Sequence, residues 1–456
     1  MYRRIADALQ ADVGAGTLVA GVRLPTQRQL SADLGVSVGT ANAAYLEAER
    51  RGLVRRRVGS GTFVASPGTR AFRPDGHINL AVNLPPFHSC APLIRDLLTQ
   101  LVEDADATEL LGYPLFRADG RYATAASMWI ARTTTMPLLP PREVIPCQGA
   151  TQGMLAIMDY LFQRGDRIAC EQVTYGGFKV VARLLGLKLH PIGQDSEGLC
   201  PDSLEKACRD NQVRGLLICP THQNPTGATT SLRRREELLA IARRYDLRIV
   251  EDDVYGPLAG KDASPPAFAV LDRARTFYVA SASKSLAPGL RAGWVVPPPD
   301  HVQGVSEVLH AGLAKVAPFG CPVLTAGAAP FGFLAFAKMC ETRMADEVLA
   351  SVKREAAIRR DMAIRILGSY VQTPLEPTSL HLWIPTTAMR VEAIYSRLVR
   401  LDIHPTPPDA PMVNCAPTGF RLCLGGPERN QDLERALHTI RAELEISRES
   451  LTSPMP

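Results

Sequence analysis

The beginning of the chain has the hydrophobic spacing of short helices. In residues 3–13 four apolar side chains fall on one face of a predicted helix: Ile5, Ala8, Leu9 and Val13. Thr26 is placed to cap a second helix that runs to Leu34, and Gly35 ends it. Ser37 can cap a third helix, in which small and aromatic residues share one face: Ala41, Ala44, Tyr45 and Ala48. Two short helices joined by Gly-Val-Ser predict a helix–turn–helix, whose second helix enters the major groove of DNA.

A basic hairpin is predicted after these helices. Residues 53–58 have the pattern of a strand, 59–61 that of a glycine turn, and 62–64 that of a second strand. The first strand contains three consecutive arginines: Arg55, Arg56 and Arg57. Such a triplet suits phosphate contacts, which set affinity and its salt dependence but not sequence choice. Taken alone, it is also typical of a solvated charged surface.

The pattern changes from about residue 145 onwards, where short apolar strands alternate with helices such as 232–245. The clearest strands are 168–170, 216–219, 248–251 and 277–280. This alternation predicts an α/β fold with a mainly parallel sheet covered by helices on both faces. Residues 66–78 contain two prolines and two glycines without apolar periodicity, which indicates an exposed linker. We therefore expect three parts: a head (1–65), the linker (66–78) and a body (79–450).

The positive charge of the chain is concentrated in the head. Residues 1–65 contain nine arginines and five acidic residues, whereas the rest of the chain carries 42 Lys and Arg against 41 Asp and Glu. A polyanionic partner is therefore expected for the head and not for the body. Hydrophobic content of 46% and charged content of 21% are ordinary for a globular protein.

Cysteines and apolar runs give expectations about the compartment. The ten cysteines form no C-x-x-C pair and no Cys/His spacing typical of zinc, so no metal site is predicted. Charges within the first twelve residues interrupt any signal-peptide core, and unpaired cysteines fit the cytoplasm. The uncharged stretch 316–337 is long enough to span a bilayer, but its three prolines and three glycines favour a buried, broken segment, and no membrane partner is expected.

Polar residues follow four of the predicted strands. Gly149 begins a helix after an apolar strand, so the free N–H groups there can cradle a phosphate. Asn224 and Asp252 each follow a strand, and Ser281 to Lys284 follow another, with Arg291 seven residues later. Because ligands bind beyond the carboxyl ends of parallel strands, these residues predict one site.

This set contains what pyridoxal phosphate requires. A lysine amine forms an imine with the cofactor's aldehyde, and a carboxylate keeps the ring nitrogen protonated. Asn and Tyr donors hold the ring oxygen, while hydroxyls, backbone N–H groups and an arginine hold the phosphate. Each residue alone has an ordinary structural role, since a lysine is usually a surface charge and Asn-Pro-x-Gly is an ordinary turn. Their joint occurrence at strand ends favours a pyridoxal phosphate site on Lys284.

The head resembles the winged helix–turn–helix of GntR-type transcription regulators. The matching segments are Arg23-Leu-Pro-Thr-Gln-Arg28, Leu34-Gly-Val-Ser37, Tyr45, Gly52-Leu53 and Gly59-Ser-Gly-Thr-Phe63. The resemblance implies that Arg28, Ser37 and Thr40 approach DNA, and that the wing with its three arginines reaches the backbone or minor groove. Many members have an arginine directly after the serine of the turn. This chain has Val38 there, so base readout at that position is apolar or absent.

From about Asn79 onwards the chain resembles the fold-type-I, aspartate-aminotransferase-like family of pyridoxal phosphate proteins. The resemblance implies that Lys284 forms the imine and Asp252 pairs with the pyridine nitrogen, while Asn224 and Tyr255 bind the ring oxygen. It places the phosphate on five residues: Ala150, Thr151, Ser281, Ser283 and Arg291. Tyr175 matches a residue that stacks on the ring.

Two further residues carry implications of the same resemblance. Tyr113 matches a tyrosine that reaches the phosphate from the partner subunit, which implies a homodimer. Arg421, in Gly-Phe-Arg-Leu, matches the arginine that binds a substrate α-carboxylate through a bidentate pair. A surface arginine in a final strand remains the alternative for Arg421.

A GntR-type head on such a body is the architecture of MocR-type regulators. This resemblance implies a transcription regulator that binds double-stranded DNA and senses pyridoxal phosphate, or a small amine or amino-acid effector, through an imine. One segment favours the alternative of an active aminotransferase with an appended head, because Glu251-Asp-Asp-Val-Tyr-Gly resembles working enzymes. A racemase or lyase is a third possibility. An enzyme has no use for a basic winged helix–turn–helix, so the regulator is the preferred hypothesis.

Overall fold

A computed structural model of the chain describes residues 1–14, 17–18, 22–50, 53–57, 61–64, 77–104, 120–311, 330–372 and 375–449. The chain divides into two units, Met1–Gly76 and His77–Pro456. The predicted linker lies mostly outside the described residues, and its last residue, Ile78, is the first residue of a strand in the second unit.

The first unit has the predicted winged helix–turn–helix elements. They are α1 (Tyr2–Gly14), α2 (Gln27–Leu34), α3 (Val38–Arg50), β1 (Val54–Arg57) and β2 (Gly61–Val64). The hydroxyl of Thr26 accepts from Gln29 N, and the Gln29 side chain accepts from Thr26 N, which completes a capping box. Gly35 ends α2 with a left-handed φ of 62°, as its position in the sequence predicted.

The core of this unit lies between α3 and the hairpin. Strands β1 and β2 pair antiparallel, and the preceding segment joins them through Leu24 N, which donates to Thr62 O at 2.8 Å. Tyr45 is buried on the inner face of α3, and its hydroxyl donates to Pro25 O at 2.7 Å. The packed face predicted for the third helix is confirmed, since Ala41, Ala44 and Ala48 are also fully buried.

The second unit is built on a seven-stranded sheet. The strands are β4 (Ile145–Cys147), β5 (Arg167–Glu171), β6 (Lys188–Ile192), β9 (Gly215–Ile218), β10 (Arg248–Asp252), β11 (Thr276–Ser281) and β12 (Gly293–Val296). Their order across the sheet is β4-β12-β11-β10-β9-β5-β6. Strand β12 runs antiparallel to both neighbours, and the other described pairs in this sheet are parallel. The predicted mainly parallel α/β fold is confirmed.

The remaining elements cover this sheet or form a smaller layer beside it. The short strands are β3 (Ile78–Leu80), β7 (Gln194–Asp195), β8 (Gly198–Leu199), β13 (His381–Pro385), β14 (Ile403–Pro405) and β15 (Gly419–Cys423). The helices are α4 (Ala91–Asp104), α5 (Arg121–Thr133), α6 (Ala150–Leu161), α7 (Gly176–Leu185), α8 (Pro201–Asn211), α9 (Leu232–Arg244), α10 (Gly256–Ala259), α11 (Phe268–Leu271), α12 (Val302–Ala311), α13 (Pro330–Glu341), α14 (Met344–Leu367), α15 (Ala388–Arg400) and α16 (Asn430–Glu449).

A second apolar core holds the smaller layer together. Strand β13 pairs antiparallel with β15, and β14 pairs parallel with β3. Their inward side chains, among them Ile78, Leu382 and Ile403, pack against helices α14 and α16. This layer matters for the site because Arg421 and Thr406 lie in it or directly after one of its strands.

The uncharged stretch 316–337 is described only in its last part. Residues 330–337 lie on α13, where Phe333 and Phe336 are fully buried, and 316–329 lie outside the described residues. Within the described ranges, no helix combines the length and apolar character needed to cross a membrane.

Candidate cofactor site and DNA-binding head

The carboxyl edge of the large sheet gathers the residues that sequence reasoning selected. Asp252 is the last residue of β10 and Ser281 the last of β11, and these two strands run parallel side by side. Lys284 follows Ser281 after one turn, and Asn224 follows β9, the other neighbour of β10. The order of strands therefore brings together residues that are separated in sequence.

Lys284 is the amine of this group. Its Nζ donates to the backbone oxygen of Asn83 at 2.6 Å. Burial lowers the pKa of Lys284 to about 8, and the positive charges of Arg421 and Arg291 act in the same direction, against Cys423 and Asp252. A larger fraction of this amine is therefore unprotonated near neutral pH than of a free lysine, which is the form that attacks a carbonyl.

Asp252 is a buried carboxyl group whose loss of hydration is offset by few hydrogen bonds. Its side chain accepts one hydrogen bond in the described part of the chain, from Val254 N at 3.4 Å. Burial raises its pKa to about 7, Asp253 adds to the rise, and Lys284 opposes it. A cation bound beside this carboxylate would relieve its desolvation, so the site suits a protonated ring nitrogen.

Tyr255 is the centre of a buried hydrogen-bond network. Its hydroxyl accepts from Asn83 Nδ2 at 2.8 Å and from Asn224 Nδ2 at 3.2 Å. With both of its lone pairs occupied, the hydroxyl keeps its own proton for a further acceptor. No such acceptor is recorded among the described residues. A ring oxygen bound here would receive that proton and the second hydrogen of Asn224.

His381 contacts this network through the side chain of Asn83. Its Nε2 donates to the carbonyl of Gln223 at 3.0 Å, and its Nδ1 lies 2.9 Å from Asn83 Nδ2. Burial lowers the pKa of His381 to about 3, with Arg421 contributing next, so the ring is neutral. A neutral ring that donates at Nε2 must accept at Nδ1, which orients the Asn83 amide towards Tyr255.

Arg421 lies on β15 and is held by three acceptors. Its Nε donates to Thr406 Oγ1 at 3.0 Å, one Nη donates to Ala81 O at 2.7 Å, and the other donates to Asn224 Oδ1. A guanidinium has five N–H groups, so one hydrogen on each Nη is left by these contacts. Two parallel donors of this kind match a carboxylate.

The start of α6 forms a cradle for an anion. Its N-cap, Gly149, has no side chain to cap the helix, and in the described part of the chain the N–H groups of Ala150 and Thr151 are available to a ligand. Gly149 precedes it with φ 84° and ψ 164°, and a Cβ there would lie 2.8 Å from an Arg291 Nη. Arg291 donates to Gln148 O at 2.6 Å. Ala150 and Thr151 are the first two residues of the helix.

The remaining predicted cofactor residues are Ser281, Ser283, Tyr175 and Tyr113. Ser281 is buried and its Oγ accepts from Ser283 N at 3.4 Å, next to Lys284. Tyr175 is half-buried, its ring packs edge-on against Phe178 at 5.6 Å, and its hydroxyl hydrogen-bonds Thr151. Burial raises the pKa of Tyr175. The negative charge of Asp252 also raises it, and the positive charges of Arg421 and Arg291 lower it. Tyr113 lies outside the described residues.

These donors fit pyridoxal phosphate. The site offers an amine, a buried carboxyl group with a raised pKa, two donors for a ring oxygen and an anion cradle made by a helix start and an arginine. A pyridine ring would give the weakly hydrogen-bonded Asp252 carboxyl a partner at its nitrogen and would give the Tyr255 hydroxyl proton an acceptor at its ring oxygen.

The head presents the predicted DNA-facing residues at the start of α2, where Arg28 lies, and at the start of α3. Arg28 and Ser37 are exposed, and Ser37 Oγ accepts from Thr40 N at 3.1 Å as the helix cap. Val38 is 46% exposed, so it is available to a ligand rather than used in the core. The backbone of Arg55–Arg57 lies in β1, while their side chains are outside the described residues.

Four site residues were missed by sequence reasoning: Asn83, Gln148, His381 and Thr406. Asn83 and Thr406 stand in segments without a recognisable motif, and Gln148 acts through its backbone. His381 gave the one usable signal, a polar residue in the otherwise apolar strand β13. A fully buried polar side chain requires partners, and this strand therefore pointed to a network.

Comparisons with known proteins agree with this architecture. The profile of the family "Aminotransferase class I and II" matches residues 75–440, and that of "Bacterial regulatory proteins, gntR family" matches residues 1–64. The uncharacterized HTH-type transcriptional regulator YdeF of Bacillus subtilis is 28% identical over 98% of this chain and 94% of its own. The probable rhizopine catabolism regulatory protein MocR of Rhizobium meliloti is 28% identical over 68% of each chain.

Solved structures support the fold of the body. The alpha-aminoadipate aminotransferase LysN of Thermus thermophilus, complexed with N-(5'-phosphopyridoxyl)-L-leucine, superimposes with a TM-score of 0.69 at 22% identity, covering 82% of this chain and 94% of that one. Pyridoxal phosphate is thus the cofactor that the family implies. The chain belongs to the aminotransferase class I and II family and carries a gntR-type helix–turn–helix domain at its N-terminus.

Proposed function

We propose that this protein is a DNA-binding transcription regulator whose pyridoxal phosphate site detects a small amine or amino acid. The observation that carries the proposal is the presence in one chain of a winged helix–turn–helix and of a site that gathers Lys284, Asp252 and Arg421. Relatives that match over most of this chain are named transcriptional regulators, which supports the same assignment.

Lys284 and Asp252 have complementary roles in this proposal. Pyridoxal phosphate, when bound, supplies an aldehyde that condenses with primary amines and a ring that accepts electrons. Lys284 offers an amine that burial keeps partly unprotonated, so it can hold the aldehyde and yield it to a competing amine. Asp252 holds a proton at the ring nitrogen, since the pair would remove an uncompensated buried charge.

The other residues orient the ring and its phosphate. Asn224 and Tyr255 donate to the ring oxygen, and Asn83 and His381 fix the position of the Tyr255 hydroxyl. Tyr175 would pack against the ring. Ala150 and Thr151 at the start of α6, together with Ser281, Ser283 and Arg291, would hold the phosphate.

Arg421 selects ligands that carry a carboxylate. Its guanidinium is oriented by Thr406, Ala81 and Asn224, and the planar fork of its two Nη groups suits bidentate binding of a carboxylate. An α-amino acid would then present its amine to the cofactor and its carboxylate to Arg421, whereas a simple amine would lack the second contact. We therefore favour an amino acid as the effector.

The head binds DNA in this proposal. Residues around Ser37 and Thr40, at the start of α3, read bases in the major groove, while Arg28 and the wing with Arg55, Arg56 and Arg57 contact phosphates. We further propose a homodimer in which Tyr113 of each chain reaches the phosphate of the other site. The cytoplasm, which holds a bacterial chromosome, is the corresponding location.

The test is a joint screen of amino acids and amines. Purified protein is mixed with each compound and the imine absorbance is recorded. Binding to the DNA upstream of the gene that encodes this protein is then measured by fluorescence anisotropy. We expect a compound that changes the absorbance to change DNA affinity as well. Lys284→Ala should lose the imine band and the response, whereas Lys261→Ala, on an exposed loop, should retain both. An unchanged band in Lys284→Ala would show that the site is assigned wrongly.

An aminotransferase is the second candidate, because the amine, the acid and the carboxylate-binding arginine are all present. The same screen separates the two functions. Rapid conversion of a common amino acid without specific DNA binding would favour the enzyme, and specific binding with little turnover favours the regulator.

A further inference from the structure

Two histidines and an aspartate converge at the amino ends of strands β3 and β14. His77 precedes β3, while Asp402 precedes β14 and His404 lies within it. One ligand atom from each of the three residues lies within 4.8 Å of the other two. Within the described ranges this is the group of His, Cys, Asp and Glu side chains with the spacing of a metal site.

The backbone holds these three residues on one face. Ile78 and Ile403 are paired across the parallel strands and both are buried in the second apolar core. Because side chains alternate along a strand, His404 projects to the face opposite to Ile403, and His77 and Asp402 place their ligand atoms beside it. Ile78 N also donates to Asp402 O at 2.8 Å, which fixes the register at this end.

The side chains are close but not satisfied by one another. The rings of His77 and His404 have centroids 4.3 Å apart, and His404 Nε2 lies 3.9 Å from Asp402 Oδ1, beyond hydrogen-bond range. That nitrogen is buried and has no hydrogen-bond partner in the described part of the chain. A buried imidazole nitrogen without a partner next to a carboxylate is a polar group that a bound cation would satisfy.

We propose that His77, Asp402 and His404 bind a zinc-class divalent transition ion. Imidazole nitrogens together with one carboxylate suit Zn²⁺, Ni²⁺ or Co²⁺, whereas a soft ion such as Cu(I) prefers sulfur. Two ligands on a tetrahedral zinc ion are about 3.3 Å apart, so small side-chain rotations would close the observed separations. Three protein ligands leave a fourth position for water.

The site lies on the strand pair that leads to the cofactor site. Beyond the carboxyl end of β3, Ala81 O accepts from Arg421 and Asn83 O accepts from Lys284. Beyond the end of β14, Thr406 Oγ1 accepts from Arg421 Nε. The ion would thus join the two strands at the end opposite to the cofactor, at the first residue of the second unit. The three ligands are remote in sequence, which is why the spacing of cysteines and histidines predicted no metal site.

The experiment is a titration of the full-length holoprotein, purified without a histidine tag, with Zn²⁺ followed by calorimetry and with Co²⁺ followed by its visible absorption. We expect one saturable site per chain. We expect weaker binding, by about tenfold to a hundredfold or more, in each of three variants: His77→Ala, His404→Ala and Asp402→Asn. A loss of this size follows from removing a residue that only hydrogen-bonds to a metal ligand, and removing a ligand itself should cost at least as much. His438→Ala, an exposed histidine on α16, should bind as the wild type.

The cofactor absorbance of each variant shows whether the body is folded. Asn is a suitable replacement at Asp402 because it tolerates the left-handed φ of 57° at this position. Crystals soaked with Zn²⁺ give a measurement that needs no variant, since the anomalous peak should lie among the three side chains. No saturable binding by the wild type, full binding by the three variants, or a zinc peak only at cysteines or at the cofactor would overturn the proposal.

Discussion

Gly149 allows a direct test of the phosphate cradle. Its φ of 84° and ψ of 164° belong to a region that is essentially restricted to glycine, and a Cβ at this position would come within 2.8 Å of an Arg291 Nη. Gly149→Ala is therefore expected to cost about 1–3 kcal/mol of backbone strain. It should also push Arg291 away from Gln148 O, to which it donates at 2.6 Å.

The expected loss of cofactor affinity follows from the displaced arginine. A hydrogen bond to a charged group contributes about 1.5–3 kcal/mol. Losing one between Arg291 and the phosphate corresponds to about a tenfold to hundredfold rise in Kd. Titration of cofactor-free protein with pyridoxal phosphate, followed by absorbance, measures this change, and urea unfolding of the cofactor-free protein measures the strain.

Two glycines serve as matched controls. Gly165 also has a positive φ, 95°, but a Cβ there meets no atom within 4 Å, so Gly165→Ala should lose about 1–2 kcal/mol of stability and keep its cofactor affinity. Gly289 has neither feature, and Gly289→Ala should change little. Wild-type cofactor affinity in Gly149→Ala, or an equal loss in Gly165→Ala, would refute the reasoning.

Three further changes test other parts of the account. Asp252→Asn should stabilise the cofactor-free protein at pH 8 by up to about 4 kcal/mol, because burial raises the pKa of the wild-type carboxyl to about 7. Urea unfolding should show the gain shrinking as pH falls from about 7 towards 4, where the wild-type group takes up its proton, while cofactor titration shows weaker binding. Asn83→Ala leaves the buried Nδ1 of His381 without its donor and should lower the free energy of unfolding by about 1–3 kcal/mol, measured in urea. Arg28→Ala should lower the slope of log DNA affinity against log salt by about 0.9, measured by anisotropy, without changing Tm.

Each of these has a contradicting outcome. A stability gain in Asp252→Asn that is the same at pH 4 and pH 8 would mean that the carboxyl is not the source of the effect. Wild-type stability in Asn83→Ala would mean that water replaces its amide. An unchanged salt slope in Arg28→Ala would remove this residue from the DNA interface.

The sequence was sufficient for the elements that depend on local patterns. The strand predicted over 248–251 is observed as Arg248–Asp252, and the cap predicted at Thr26 is observed with its capping box. The cap depends on residues within three positions of one another, and the strand appears in the sequence as a short apolar run. That Asp252, Asn224 and Lys284 lie at the same edge of the sheet could be predicted, because the carboxyl ends of parallel strands meet at one edge.

Contacts between distant segments could not be predicted in this way. Asn83 donates to Tyr255 from a segment 172 residues away in sequence, and Thr406, directly after β14, accepts from Arg421 on β15. His77 and His404 meet because β14 pairs with β3. No local pattern encodes these pairings, which are set by how the smaller layer packs on its own apolar core.

The central claim is that occupancy of the Lys284 site and DNA binding by the head are coupled within one chain. Coupling of binding free energies is reciprocal, so an effector that changes DNA affinity by some factor must have its own affinity changed by DNA by the same factor. The decisive measurement is the Kd of the effector amine, followed by imine absorbance, with and without saturating operator DNA. The account predicts that the two values differ by the factor found in the DNA-binding assay, and identical values would contradict it.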